Sequence, residues 1–155
     1  MQDRFKFRIF IKNEPNPKYN GMFKVHSLHF GTKKAIISAQ YGNVSIKLDN
    51  NKTLMQCTGL KDKNGNLIYE GDVVKVVTQP NIVENIGIVK WDNKTVQFLR
   101  TANLINRNSL VSFWWNNTTE VIGNIYENPE FRYMTHKGEI MKKVKQALKQ
   151  VEEVK

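Results

Sequence analysis

Few residues in this sequence are of a type and spacing that could catalyse a reaction or hold a metal ion. His26 and His29 are three residues apart, a spacing that predicts opposite faces of a strand and poor geometry for one ion. Cys57 has no neighbouring base or cation that would favour its thiolate. We therefore expect no metal site, and a core position for Cys57.

Two acidic residues, Glu70 and Asp72, flank Gly71 where a strand is expected to begin. Acidic residues at such a position are typical of turns and caps rather than of an acid–base pair. The sequence has no phosphate-binding loop, dinucleotide-binding pattern or nucleophile elbow. The prediction is a protein that is not an enzyme and has no cofactor.

The residues best suited to binding begin in residues 4–12, where apolar and basic side chains alternate. A strand there would place Phe5 and Ile9 on one face and basic residues with Phe10 on the other. Cations beside an aromatic ring are typical of proteins that bind single strands of nucleic acid, although a solvated strand face is an alternative. The predicted nucleic-acid-binding residues are Arg4, Lys6, Arg8, Lys12, Lys142, Lys143, Lys145 and Lys149.

The net charge of +10 is concentrated at the two ends of the chain. Residues 1–34 hold eight basic and two acidic side chains, and residues 134–155 hold six and three. Residues 35–133 are nearly balanced, with ten basic and nine acidic side chains. This distribution suits a polyanion such as DNA or RNA, or a lysine-rich surface that only aids solubility.

Two further segments are predicted to contact protein. Trp114 and Trp115 are adjacent, so a strand would send them to opposite faces and leave one for a ligand or protein contact. Residues 139–155 have one apolar stripe at helical spacing, which predicts an amphipathic helix that docks on its own barrel or on a second copy. We favour the second copy and expect a homo-oligomer. The predicted protein-interface residues are Trp114, Trp115, Ile140, Val144, Leu148 and Val151.

These residues are positioned by a chain that reads as mainly β. Short strands are predicted at 4–12, 22–30 and 35–48, and then from residue 54 onward in five pieces separated by turns, including an Asn64-Gly65 turn. Residues 110–115 and 120–126 are expected to pair. The prediction is a β-rich segment at 1–53, a small SH3-like or OB-like barrel at 54–133, and the helix within 134–155.

The compartment is predicted from what the sequence lacks. One cysteine cannot form an internal disulfide, and no apolar run approaches the roughly 20 residues of a membrane span. Because the first residues alternate charged and apolar side chains, they do not resemble a signal peptide. We expect a cytoplasmic protein with no membrane partner.

Two stretches resemble a known family. Residues 55–75, MQCTGLKDKNGNLIYEGDVVK, and residues 120–130, EVIGNIYENPE, are similar to the signature segments of the YopX-like family of phage and prophage proteins, and KFR at residues 6–8 resembles its N-terminal pattern. The resemblance implies a small, mostly β protein with no established enzymatic activity, so it supplies no catalytic residues. Cys57 stands where the family commonly has an aromatic residue, and the chain after Phe131 is longer than the family pattern.

Within this sequence the signature residues have an expected structural meaning, with Gly59, Gly65 and Gly71 at turns and the aliphatic residues in the core. The first hypothesis is a non-enzymatic phage accessory protein in the cytoplasm of the host bacterium that binds a host or phage protein, including a component of host defence. The alternative is a nucleic-acid-binding protein that uses the basic N-terminal strand and C-terminal helix.

Overall fold

A computed structural model describes residues 3–79, 82–101, 110–111 and 118–132. This part of the chain is almost entirely antiparallel β, with single 3-10 turns at Asp3–Phe5, Pro17–Tyr19 and Pro129–Arg132. The prediction of a mainly β protein is confirmed. The strands are β1 (Phe7–Ile11), β2 (Gly21–His29), β3 (Lys34–Ala39), β4 (Gly42–Lys47), β5 (Lys52–Lys61), β6 (Leu67–Tyr69), β7 (Asp72–Gln79), β8 (Ile82–Asp92), β9 (Gln97–Thr101), β10 (Leu110–Val111) and β11 (Thr119–Asn124).

The first compact unit, Met1–Gly59, contains β1 to β4 and most of β5. Its strands lie in the order β4-β3-β2-β1-β5, so the N-terminal strand pairs with β2 on one side and with β5 on the other. Ile9 and Ile11 are fully buried together with Val25, Ala35 and Ile37. This inner face is the one that the alternating sequence of β1 predicts. The predicted strand was too long, because Phe5 lies in the 3-10 turn and is 63% exposed.

The second compact unit, Leu60–Lys155, contains a five-stranded sheet of order β10-β9-β8-β7-β11 and the pairing of β6 with the end of β5. Val73, Ile86 and Ile88 pack with Phe131, and a second cluster joins Ile68 to Val74 and Val89. Neither sheet closes on itself within the described residues. The expected pairing of 110–115 with 120–126 is not seen among the described residues, where β11 pairs with β7 and β10 pairs with β9. Strand pairing depends on contacts distant in sequence, which local patterns do not encode.

The two signature segments meet at the buried carboxylate of Asp62. Its Oδ1 accepts hydrogen bonds from the backbone N–H of Asn64 and Asn66, at 2.9 and 2.8 Å, and its Oδ2 accepts one from Val121 at 3.2 Å. Gly65 has φ +84° in the same turn, which confirms the predicted turn. One carboxylate thus joins the β5–β6 turn to β11, which gives both segments a structural role.

The helix predicted within 134–155 lies outside the described residues. The predicted domains 1–53, 54–133 and 134–155 stay a prediction. Residues 50 and 51, just before the predicted boundary after residue 53, form the turn between β4 and β5.

Candidate functional site: a basic face on the N-terminal sheet

Strand register places a set of basic side chains on the outer face of the first unit, opposite its core. Arg8 lies across from Lys24, and Lys34 lies between Lys47 on β4 and His29 on β2. We call this surface the basic face. Its members are Arg8, Lys24, His26, His29, Lys34 and Lys47. All are exposed except Arg8, which is half-buried.

A bulge in β2 brings both histidines to this surface. The register shifts between Val25 and Ser27, so Ser27 lies opposite Ile36 on the outer side. His26 Nε2 is 2.6 Å from Ser38 Oγ, and His29 Nε2 is 3.2 Å from Ser27 Oγ. The expectation that the two histidines face opposite sides is therefore wrong, because the extra residue in the bulge interrupts the two-residue alternation.

The basic face sets like charges directly opposite one another. Lys34 and Lys47 are cross-strand partners, as are Arg8 and Lys24. Like charges in such pairs are destabilising. Lys24, Lys34 and Lys47 make no ion pair within the described parts of the chain. The surface therefore carries a concentrated positive field.

The three carboxylates of the first unit are used elsewhere. Asp3 pairs with Lys6 at 2.7 Å, and Lys52 pairs with Glu14 and, at 2.9 Å, with Asp49. Residues 1–59 contain ten basic side chains and only these three acidic ones. Asp49 also interacts electrostatically with Lys47, so the carboxylates of the first unit neutralise the basic face only in part.

Lys52 shows how strongly those carboxylates are engaged. Its side chain is only 4% exposed, and burial alone would lower its pKa. Hydrogen bonds to Glu14 and Asp49 outweigh burial and raise the pKa of Lys52 above its ordinary value. The hydrogen bond from Lys52 lowers the pKa of Asp49 in turn, with a smaller contribution from Lys47. The carboxylate of Asp49 therefore stays ionised and bound to Lys52 near neutral pH.

An exposed aromatic residue borders the row formed by His29, Lys34 and Lys47. Phe30, next to His29 in the β2–β3 turn, is 75% exposed, and Lys33 in the same turn is also exposed. Toward β5 the outer side of the sheet is buried, since Met55, opposite Arg8, is only 1% exposed. The accessible part of the basic face thus lies on β2, β3 and β4.

A pocket of about 310 Å³ lies at the other end of the β3–β4 hairpin. It is lined by Lys18 and Tyr19 and by residues 39–44. The Lys18 ammonium group lies 5.8 Å from the centroid of the Tyr41 ring, within cation–π range. No sequence pattern indicated this pocket.

Comparison with known proteins identifies the family. Residues 6–131 match the family described as YopX protein. This chain belongs to the YopX family. The match ends at residue 131, so the segment beyond Phe131 lies outside it. A comparison with curated proteins gave no match.

Two solved structures share the fold. Protein yopX from Bacillus subtilis has 17% identity and a TM-score of 0.52, covering 83% of this chain and 98% of its own. Protein EF1440 from Enterococcus faecalis has 24% identity and a TM-score of 0.50, covering 82% of this chain and 96% of its own. These similarities establish the architecture and assign no activity.

The predicted nucleic-acid-binding residues have different positions in this YopX-family chain. Arg8 belongs to the basic face, Lys6 is engaged by Asp3, and Lys12 is exposed just after β1. The side chain of Arg4 lies outside the described part of the structure. Lys142, Lys143, Lys145 and Lys149 lie outside the described residues, as do the interface residues Trp114, Trp115, Ile140, Val144, Leu148 and Val151.

Sequence reasoning missed Lys24, Lys34 and Lys47. The segment 42–47, GNVSIK, does alternate, and this signal could have put Asn43, Ser45 and Lys47 on one face. Nothing in the sequence aligned that face with β3 and β2, because register is set by pairing.

The residues first considered for chemistry have structural positions. Cys57 is fully buried, as predicted, and Asp72 Oδ2 accepts a hydrogen bond from the Tyr69 N–H at 2.8 Å, in keeping with a turn role. Among the described residues, no group of three His, Cys, Asp or Glu side chains could hold a metal ion. No helix in the described ranges is long and apolar enough to cross a membrane.

Proposed function

We propose that this YopX-family chain is a non-enzymatic accessory protein of a bacteriophage or prophage that binds a host or phage macromolecule in the bacterial cytoplasm. The observation that carries the proposal is the basic face, where Lys34 opposes Lys47 and Arg8 opposes Lys24. Such pairs lower stability in the isolated chain. An anionic partner surface is attracted to all of these basic side chains and relieves their mutual repulsion, so the arrangement favours binding of such a partner.

The use of the signature residues supports a role without catalysis. Asp62 is occupied by backbone hydrogen bonds from both segments, and Asn124 Oδ1 accepts from the N–H groups of Tyr126 and Glu127 at 3.0 and 2.9 Å. These polar groups hold turns together. Their occupation in structure favours a scaffold whose function lies in surface contacts.

A host or phage protein, including a component of host defence, is the first partner that we propose. Nucleic acid is the second, bound through the basic N-terminal strand together with the C-terminal lysines. The position of Arg8 opposite Lys24 favours this second candidate, because the strand then adds its charge to a larger positive surface. We further propose that the chain forms a homo-oligomer through a C-terminal helix.

We infer that the second unit is an SH3-like barrel. In its sheet the last strand, β11, lies beside the first, β7, and the others follow in sequence as β8, β9 and β10. This is the strand order of SH3-like barrels, whereas an OB-like barrel pairs its first strand with its second and fourth. Strand order therefore supports the SH3-like alternative.

An affinity pull-down tests the proposed function. The tagged full chain and a variant with Lys24, Lys34 and Lys47 each replaced by Glu are incubated with lysate of the infected bacterium, with and without nuclease. We expect an identified protein or nucleic acid that the natural chain retains and the variant loses. Equal recovery by both chains would contradict binding through the basic face.

A further inference from the structure

We propose that the basic face binds single-stranded nucleic acid, with phosphates lying along the row His29–Lys34–Lys47 and a base stacking on Phe30. This inference rests on the proposed function and deepens it by committing the face to one class of partner. The proposed contact comprises His29, Phe30, Lys33, Lys34 and Lys47, with Lys24 further along β2.

The first support is the spacing of the basic side chains. Lys47, Lys34 and His29 follow one another across three adjacent strands, which lie about 4.8 Å apart. Lys24 is five residues before His29 on β2, roughly 15 Å away along the strand. The lysines of this track carry separated positive charges, which fit a flexible, repeatedly charged backbone better than a single small anion.

The second support is the chemistry around this track. Phe30, in the β2–β3 turn directly after His29, is 75% exposed, and exposed Ser45 lies two residues before Lys47 on β4 and so shares its side of the sheet. Sheet faces that combine basic side chains with exposed aromatic rings bind single strands, because every base can stack and every phosphate can pair.

The third support is that the carboxylates of the first unit are bound by lysines outside the row. The carboxylates of Asp3, Glu14 and Asp49 are held by Lys6 and Lys52. Asp49, which also attracts Lys47, therefore neutralises the row only in part. Phosphate groups would supply the missing negative charge and release their condensed counterions.

The test is fluorescence anisotropy with a labelled single-stranded DNA of about 20 nucleotides, longer than the ~4–16 nucleotides of typical single-strand sites. The natural chain is compared with a face variant, Lys34→Gln/Lys47→Gln. A control variant, Lys61→Gln/Lys94→Gln, loses the same charge at two exposed positions of the second unit. Circular dichroism verifies that all three chains are folded.

We expect binding by the natural chain with a slope of log K against log salt of about −3, equivalent to about four phosphates. The face variant should halve that slope and lose about 10- to 30-fold in affinity near 100 mM salt. The control variant should change affinity much less. Phe30→Ala should weaken binding about fivefold or more and leave the slope unchanged, because stacking carries no charge.

Three results would overturn the inference: no binding at about 50 mM salt, equal losses in the face and control variants, or a preference for the duplex of the same sequence. These results are distinguishable from failure of the proposed function. If the pull-down still returns a protein that the triple Glu variant loses, the face binds protein and the nucleic-acid inference alone is wrong.

Discussion

At the scale of single residues, steric crowding explains why position 71 of the signature holds glycine, and its effect on stability can be measured. Gly71 has φ +81°, and a Cβ there would lie 2.7 Å from the Tyr126 ring. Gly71→Ala should therefore lower the free energy of unfolding by about 2–4 kcal/mol, from backbone strain and overpacking together. Urea denaturation measures it. Gly31→Ala is the matched control, since a Cβ at that position meets nothing within 4 Å, and comparable losses in both variants would contradict the steric explanation.

Glu120 is a residue whose contribution to stability should depend on pH. Burial alone would raise its pKa, but hydrogen bonds from Lys63 and Lys75, at 2.7 and 3.0 Å, outweigh burial and lower it. The stability that Glu120 contributes is thus complete above the ordinary glutamate pKa of about 4.3, and it is lost as pH falls through the lowered folded-state value.

Glu120→Gln should cost about 1–3 kcal/mol at pH 7, because Lys75 is buried and loses its ionic partner. The difference from the natural chain should shrink as the pH is lowered toward 3. Chemical denaturation at several pH values measures both effects. A difference that stays constant over this range would show that the ion pairs are not its source.

At the scale of elements, we predict that the basic face lowers the stability of the fold, because its lysines lie opposite one another across neighbouring strands. Lys34→Glu places an opposite charge across from Lys47, so it should stabilise the fold by about 0.2–1 kcal/mol while weakening polyanion binding. Thermal unfolding and anisotropy are measured on the same preparation. A destabilised Lys34→Glu chain would contradict the cross-strand repulsion.

The sequence can predict features that depend on neighbouring residues, but not those that depend on residues distant in the chain. The alternation in β1 predicted its buried face, and Asn64-Gly65 predicted its turn, because both depend on neighbouring residues. The pairing of β11 with β7 and the alignment of Lys34 with Lys47 depend on residues distant in sequence. The bulge at Val25–Ser27 is likewise set by pairing with β3, which is why the histidines were assigned to opposite faces. The fold class was therefore predictable, and most of the candidate site was not.

At the scale of the whole molecule, the segment beyond the YopX-family match carries the prediction of self-association. Deleting residues 139–155 should lower the oligomeric state, because the apolar stripe predicted there has a ready partner in a second copy. Light scattering on the full and shortened chains measures it. An unchanged number of subunits would contradict the prediction.

The central claim is that the basic face contacts a macromolecule in the cell, and site-specific photo-crosslinking tests it most directly. A photoreactive phenylalanine is placed at Ser45, exposed on β4 beside Lys47, or at Asn93, exposed in the β8–β9 turn of the second unit. After irradiation of bacteria that produce the protein, we predict a discrete covalent adduct from position 45 and none from position 93. No adduct from position 45, or the same adduct from both positions, would contradict the claim.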